Sequence, residues 1–186
     1  MHRYLLSAKY SSAIMVFCAL IYALNSILPF NLNQFGIVPR STDNLLGILF
    51  APFLHASWVH LFSNFFPFII FGALIGLHNV KRFWLLFAIH IISTGILVWL
   101  FARGNSVHIG MSWVIYAFWG YLLVYGLVRR QILHIIISLL TLVFYGGLVF
   151  GLLPTRMGVS FESHMLGAVV GAVSGYYFAK SHRNGR

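Results

Sequence analysis

The stretch Val107-His108-Ile109-Gly110-Met111-Ser112-Trp113-Val114-Ile115-Tyr116 decides how the rest of the chain is interpreted. In it, Gly110 precedes Ser112 by two residues at the start of a long apolar run, and Tyr116 follows one helical turn later. Alone, a Gly-x-Ser pattern indicates close helix packing more often than chemistry, because small residues line contacts between membrane helices. Its meaning therefore depends on what the rest of the chain brings to the same place.

The composition predicts an integral membrane protein. Of its 186 residues 60% are hydrophobic and only 8% are charged, whereas soluble domains carry about 25% charged residues. The net charge of +10 comes from basic residues scattered among apolar runs, so we do not expect nucleic-acid binding. Cys18 is the only cysteine, which excludes an internal disulfide and a thiolate metal site. No cofactor is expected.

Six apolar stretches predict an all-α membrane protein, with six transmembrane helices in a single domain over residues 1–186. They are placed at about 12–30, 58–78, 82–101, 111–128, 132–153 and 163–179. Between the first two lies a longer region that ends in the apolar run 45–54. This run is too short to span a bilayer and contains Pro52, so we expect it to lie at the interface or to fold back against the helices.

The basic residues predict the orientation of the chain. Three flank one side of the six segments: Arg40, Arg103 and Arg156. Nine flank the other: Arg3, Lys9, Lys81, Arg82, Arg129, Arg130, Lys180, Arg183 and Arg186. Because the side richer in Lys and Arg stays in the cytoplasm, both termini are predicted to be cytoplasmic. The size and the lack of a targeting sequence favour the inner (plasma) membrane of a bacterium.

This orientation places several polar side chains at one extracytoplasmic level. Ser112 begins the fourth segment, His164 begins the sixth, and His60 and Asn64 lie near the start of the second. His60 and Asn64 share a helical face, which must point away from lipid. They are also the right kinds of group, with the Ser112 amide, to donate hydrogen bonds to an oxyanion. The structural alternative for both residues is a polar, hydrogen-bonded contact between helices.

Two faces rich in small residues can bring Ser112 and His164 together. Small residues recur every fourth position in the sixth segment, at Gly167, Gly171 and Gly175. His164 lies on that face, and Ser112, Tyr116 and Gly120 form a matching face on the fourth segment. A serine becomes a nucleophile when a base lies beside it. The only acids, Asp43 and Glu162, are outside helix interiors, so the pattern favours a Ser-His pair over a triad.

The remaining histidines carry less functional weight. His78 and His134 near the cytoplasmic ends are expected to be structural, as is His90 in the third segment, for which no polar companion is expected. Neither a His-x-x-x-His pattern nor a carboxylate companion at a shared depth is present to indicate a metal site. A small transporter, with the polar residues forming a pathway, is a further alternative. It is disfavoured because they cluster near one face and no inverted repeat is visible.

Four motifs in order resemble the rhomboid intramembrane serine proteases. They are Gly36-Ile37-Val38-Pro39-Arg40, the segment from His55 through His60 to Asn64, Gly110-Met111-Ser112, and Glu162-Ser163-His164-Met165-Leu166-Gly167. The resemblance implies a catalytic Ser112/His164 dyad, with Tyr116 stacking on the histidine. It implies an oxyanion site from His60, Asn64 and the Ser112 amide, with Gly110 and His55 in support. It also implies transmembrane proteins as substrates and membrane lipids as partners, and leaves the oligomeric state open.

One position departs from the family pattern. The motif is usually Gly-x-Ser-Gly, and Trp113 occupies the last place. An indole beside the nucleophile adds volume near a tight contact, unless it points to lipid or to the interface, where Trp is favoured. The alternative function is therefore a catalytically inactive rhomboid-like protein that binds membrane helices. The intact Ser112 and His164 favour the protease.

Overall fold

The computed structural model describes residues 3–154 and 160–184. Arg156 and Arg186, used above for orientation, lie outside these residues. The described part contains these α-helices in chain order: α1 Arg3–Ile27, α2 Gly47–Phe50, α3 Trp58–Gly76, α4 Val80–Phe101, α5 Ser112–Arg129, α6 Ile132–Tyr145 and α7 Phe161–Asn184. The all-α prediction is confirmed for this part of the chain.

Four helical stretches of the described residues are long and apolar enough to cross a membrane: α1, α3, α4 and Ile132–Leu152. The helices α5 and α7 are not among them. Nearly every residue of α5 is buried, and a helix enclosed by other helices has small and polar residues at its contacts rather than a lipid-facing surface. That α5 and α7 also span the membrane, and that both termini are cytoplasmic, stay predictions.

The helix bounds differ from the predictions mainly at the two ends of the chain. Helices α3, α4 and α5 begin and end within two residues of the predicted positions. Helix α1 begins at Arg3 instead of residue 12 and ends at Ile27, because the position before Pro29 disfavours the α conformation. Helix α7 extends beyond 163–179 at both ends.

The fifth predicted segment, 132–153, is not one uniform helix. Helix α6 ends at Tyr145, and the backbone continues as a 3-10 helix over Gly146–Leu152. Two glycines begin this stretch, and glycine is the poorest helix former after proline. The chain therefore tightens from i+4 to i+3 hydrogen bonding at this point, which changes the direction of the carbonyl groups that follow.

The region between α1 and α3 folds back against the bundle. Arg40 has a left-handed backbone, with φ of 63°, and its Nη1 donates to the carbonyl oxygens of Ala102 at 2.7 Å and Leu100 at 3.3 Å. These carbonyls lie at the C-terminal end of α4, where intrahelical donors are missing. Ile37 forms an antiparallel bridge with His108, with N–O distances of 3.0 and 2.8 Å. The loop is thereby fixed beside the start of α5.

Helices α5 and α7 approach each other closely through glycines. A Cβ atom at Gly171 would lie 2.6 Å from the carbonyl carbon of Ala117, and one at Gly167 would lie 3.1 Å from that of Trp113. Gly120 of α5 packs in the same way against the backbone of Ala168. The contact between the two small-residue faces, predicted from their spacing, is confirmed. It aligns the beginnings of α5 and α7.

Candidate active site

Ser112 and His164 form a hydrogen bond at the aligned ends of α5 and α7. His164 Nε2 lies 2.8 Å from Ser112 Oγ, within the normal range for such a bond. Both residues are 9% exposed. Ser112 is the first residue of α5, and His164 lies in the first turn of α7. The structure thus brings together the two residues that the glycine spacing suggested.

A backbone carbonyl orients the His164 ring. His164 Nδ1 lies 3.0 Å from the carbonyl oxygen of Gly151. A carbonyl can only accept a hydrogen bond, so Nδ1 carries the proton and Nε2 presents its lone pair to the Ser112 hydroxyl. This carbonyl takes the orienting position that a carboxylate holds in a triad. Sequence reasoning missed Gly151, because neither its residue type nor its spacing distinguishes its carbonyl from any other.

Tyr116 packs against the imidazole ring of His164. Its ring is stacked on the His164 imidazole, with centroids 4.2 Å apart and planes at 12°. Its hydroxyl donates to the carbonyl oxygen of Leu148 at 2.8 Å. The predicted stacking is present. Leu148 and Gly151 both belong to the 3-10 segment, so this segment holds both rings.

His60 and Asn64 converge on the backbone just before Ser112. Gly110 has φ of 111°, a backbone conformation that residues with a side chain rarely adopt. A Cβ atom at this position would lie 2.6 Å from His60 Cε1 and 3.8 Å from Asn64 Nδ2. The Ser112 N–H is at the start of α5, where helical N–H groups lack intrahelical acceptors. The three candidate oxyanion donors therefore border one small region. Their role stays a prediction.

His55 holds the Asn64 amide. It is 1% exposed, and its Nε2 lies 3.2 Å from Asn64 Nδ2. Burial, followed by the neighbouring His60, lowers the pKa of His55 to about 4, so the ring is neutral at pH 7 and can accept from the amide. Asn64 retains a second amide proton to donate elsewhere. Asn33 Nδ2 in turn donates to the His55 carbonyl at 3.2 Å.

The loop before α5 is tied to the start of α7. His108 Nδ1 hydrogen-bonds to the hydroxyl of Ser160, the residue preceding α7, and its Nε2 lies 3.0 Å from Ser106 Oγ. Burial lowers the pKa of His108. Arg103 and Glu162 add an ion pair at 3.5 Å between the same two segments. These contacts hold the turn of α7 that carries His164.

Trp113 does not point to lipid. Its side chain is 0% exposed and lies in the hydrophobic core, so the alternative of a lipid or interface position was wrong. The indole packs inside because α5 is enclosed on nearly all sides. The substitution of glycine by Trp113 thus adds its volume to the protein interior.

His90, His78 and His134 form contacts between separate parts of the bundle. His90 Nε2 lies 2.9 Å from Ser174 Oγ of α7, so it does have a polar companion, on a helix distant in sequence. His78 and His134 stack at 4.8 Å with planes at 4°. These contacts join α4 to α7 and the turn after α3 to α6, at positions away from Ser112.

The fold and this site define a helical membrane protein with a buried, hydrogen-bonded serine–histidine pair at one end of the bundle. A family model described as Rhomboid domain matches residues 42–181. The chain belongs to the rhomboid family, and it is an integral membrane protein.

Several mycobacterial proteins are similar over most of the chain. Uncharacterized proteins of Mycobacterium bovis and Mycobacterium tuberculosis are each 37% identical over 186 residues, covering 94% of this chain and 78% of their own. An uncharacterized protein of Mycobacterium leprae is 36% identical over 184 residues, covering 93% of this chain and 73% of its own. The similarity to these proteins therefore extends along nearly the whole sequence.

Proposed function

We propose that this chain is an intramembrane serine endopeptidase, with Ser112 as the nucleophile and His164 as its general base. The observation that carries the proposal is the 2.8 Å hydrogen bond from Ser112 Oγ to an imidazole whose other nitrogen is held by Gly151. A serine with an adjacent, oriented base is the arrangement that acyl transfer requires.

The proposed reaction proceeds in two stages. Ser112 Oγ attacks the peptide carbonyl while its proton moves to His164 Nε2, and His164 then returns that proton to the leaving amine. Water hydrolyses the resulting acyl-enzyme, with His164 again accepting a proton. The negatively charged oxygen of the former carbonyl accepts hydrogen bonds from the Ser112 N–H and from His60 and Asn64. These bonds stabilise the tetrahedral intermediates.

The substrates we propose are transmembrane proteins cut near the extracytoplasmic face of a bacterial inner membrane. Six spans with cytoplasmic termini would give the site this location, in agreement with the basic-residue asymmetry. Water must reach Ser112 for hydrolysis, so the beginnings of α3, α5 and α7 would border a hydrated cavity. Polar groups at membrane depth are tolerated on that condition.

The alternative is a rhomboid relative without activity that binds membrane helices. Only the residue change at Trp113 favours it, whereas the hydrogen-bonded and oriented pair of Ser112 and His164 favours the protease. No observation favours a transporter, since the polar side chains around Ser112 lie at one end of the bundle.

Labelling with a fluorophosphonate probe tests the proposal. Purified protein in detergent is compared with Ser112→Ala, His164→Ala and the control Ser26→Ala, which removes an exposed serine hydroxyl of α1 that donates to Tyr22. We expect wild type and the control to label and to cleave a model transmembrane substrate, and both site variants to do neither. Folded wild type that neither labels nor cleaves would support the inactive relative.

A further inference from the structure

A cavity of about 330 Å³ lies between the C-terminal parts of α5 and α7. It is at the opposite ends of these helices from Ser112 and His164. The residues that line it are Leu127, Val128, Arg130, Tyr176 and Lys180. Two cations and three largely apolar side chains thus face one space.

The two cations at this cavity are not neutralised by the protein. Among the described residues, the Arg130 side chain has no hydrogen-bond or ion-pair partner, and Lys180 contacts only the Tyr176 ring, with Nζ 5.8 Å from the centroid. The chain has only two acids, Asp43 and Glu162. Glu162 is in the first turn of α7, at the far end. The cavity therefore attracts an anion from outside the chain.

Neighbouring basic residues at this end are already engaged. Arg82 is buried, and its guanidinium contacts the Tyr125 hydroxyl at 3.4 Å and His182 Nε2 at 2.7 Å. Arg129 Nη1 donates to the His182 carbonyl at 3.1 Å. These contacts hold α4, α5 and α7 together. Arg130 and Lys180 differ because they face open space.

The walls of the cavity indicate an occupant with an apolar part. Leu127 is 60% exposed, although it sits beside two cations. Exposed apolar side chains continue from the cavity along α7 at Tyr176, Val173 and Val169, which share one helical face. Phosphate alone would contact the cations and leave this surface uncovered. A phospholipid covers both parts, since its phosphate lies at the membrane interface and its chains enter the bilayer.

We propose that an anionic phospholipid binds in this cavity, with its phosphate between Arg130 and Lys180 and its acyl chains along Leu127 and the exposed face of α7. The lipid bridges the ends of the two helices that carry Ser112 and His164 and so stabilises their contact. The proposal does not depend on proteolytic activity.

Thermal unfolding of the purified, delipidated protein in uncharged detergent tests it. The protein is titrated separately with phosphatidylglycerol, phosphatidylcholine and inorganic phosphate. The test variant is Arg130→Gln/Lys180→Gln, and the matched control is Lys9→Gln/Lys81→Gln, which removes the same charge from exposed positions outside the cavity. A third variant, Arg130→Lys/Lys180→Arg, retains both charges.

We expect phosphatidylglycerol to raise the unfolding midpoint of wild type, the control and the charge-retaining variant. The test variant should bind it about thirtyfold more weakly, since each basic group near an anionic surface contributes about 1 kcal/mol and 1.4 kcal/mol is tenfold in affinity. An equal loss in the control would overturn the site. So would an equal midpoint rise with phosphatidylcholine. If inorganic phosphate raised the unfolding midpoint as much as phosphatidylglycerol does, the ligand of the cavity would be a free anion and not a lipid. If the test variant without lipid has an unfolding midpoint far below that of wild type, the charge-retaining variant decides the question. Loss of phosphatidylglycerol binding in that variant contradicts the proposal.

Discussion

His164 Nδ1 and the carbonyl oxygen of Gly151 lie 3.0 Å apart, so the tautomer of the proposed base is set by the backbone of the 3-10 segment after α6. In the same segment, the carbonyl oxygen of Leu148 accepts a hydrogen bond from the Tyr116 hydroxyl. Any displacement of this segment therefore alters both the ring that faces Ser112 and the ring stacked on it. The Gly146–Leu152 segment is the part of the fold on which the site geometry depends most directly.

Replacing Gly151 by Ala should disrupt the site. A Cβ there would overlap the Tyr116 hydroxyl and lie 3.4 Å from His164 Nδ1. The control is Gly147→Ala, where a Cβ would meet nothing within 4 Å. We expect the fluorophosphonate labelling rate to fall about a hundredfold for Gly151→Ala, since a displacement near 1 Å has effects of that order, and to stay near wild type for Gly147→Ala. Equal rates for the two variants would contradict this role of the segment.

Tyr116 should act through its ring more than through its hydroxyl. Tyr116→Phe removes the hydrogen bond to Leu148 and keeps the stacking on His164, so it should lower the free energy of unfolding by about 1 kcal/mol and leave labelling nearly unchanged. Tyr116→Ala also removes the buried ring, which costs about 3–5 kcal/mol, and should abolish labelling. Chemical unfolding in detergent measures the first effect and probe kinetics the second. Loss of labelling in Tyr116→Phe would assign the role to the hydroxyl.

The stability of the protein should depend on pH through His55. In the folded chain burial lowers its pKa to about 4, from 6.5 in the unfolded chain. Between these values the unfolded state binds more protons, so stability falls as the pH is lowered from about 6.5 to 4. Protonation of His55 would also remove the hydrogen-bond acceptor for Asn64 Nδ2. It would place a positive charge beside His60, whose ring centroid lies 5.1 Å from that of His55.

The variant His55→Gln isolates this effect, because glutamine retains an acceptor and does not titrate. Between pH 7 and pH 5, wild type should lose about 2 kcal/mol more stability than the variant. Of the interval between the two pKa values, 6.5 and about 4, about 1.5 units lie above pH 5, at about 1.36 kcal/mol per unit. The measurement is the unfolding free energy of both proteins at the two pH values. Parallel losses would show that His55 is not the titrating group.

The sequence indicated that Ser112 and His164 can come together if two helix faces meet, with Tyr116 as a candidate to pack on the histidine. The spacing of Gly167 and Gly171 defines a helix face on which backbones can approach, and such spacing is visible in the amino-acid order. The carbonyl of Gly151 could not be found in the same way, because every residue has a carbonyl and only the three-dimensional path of the 3-10 segment directs this one at His164.

The long-range pairing of His90 was likewise not predictable. The hydrogen-bond partner of His90 is Ser174, which lies on α7, far away in the sequence. The burial of Trp113 was not predictable for a related reason: a hydrophobic residue in a membrane helix can face lipid or protein, and hydropathy does not distinguish the two environments. Only the enclosure of α5 by its neighbours decides between them.

The indole of Trp113 should be required for folding rather than obstruct the site. Trp113→Gly removes a fully buried side chain and should cost about 3–5 kcal/mol, so we expect a lower unfolding midpoint and no gain in labelling. Trp113→Phe is the matched variant. Its cost should be smaller than that of Trp113→Gly, because phenylalanine fills most of the space and the indole Nε1 has no hydrogen-bond partner among the described residues. A stable Trp113→Gly protein that labels faster than wild type would show instead that the indole restricts the approach to Ser112.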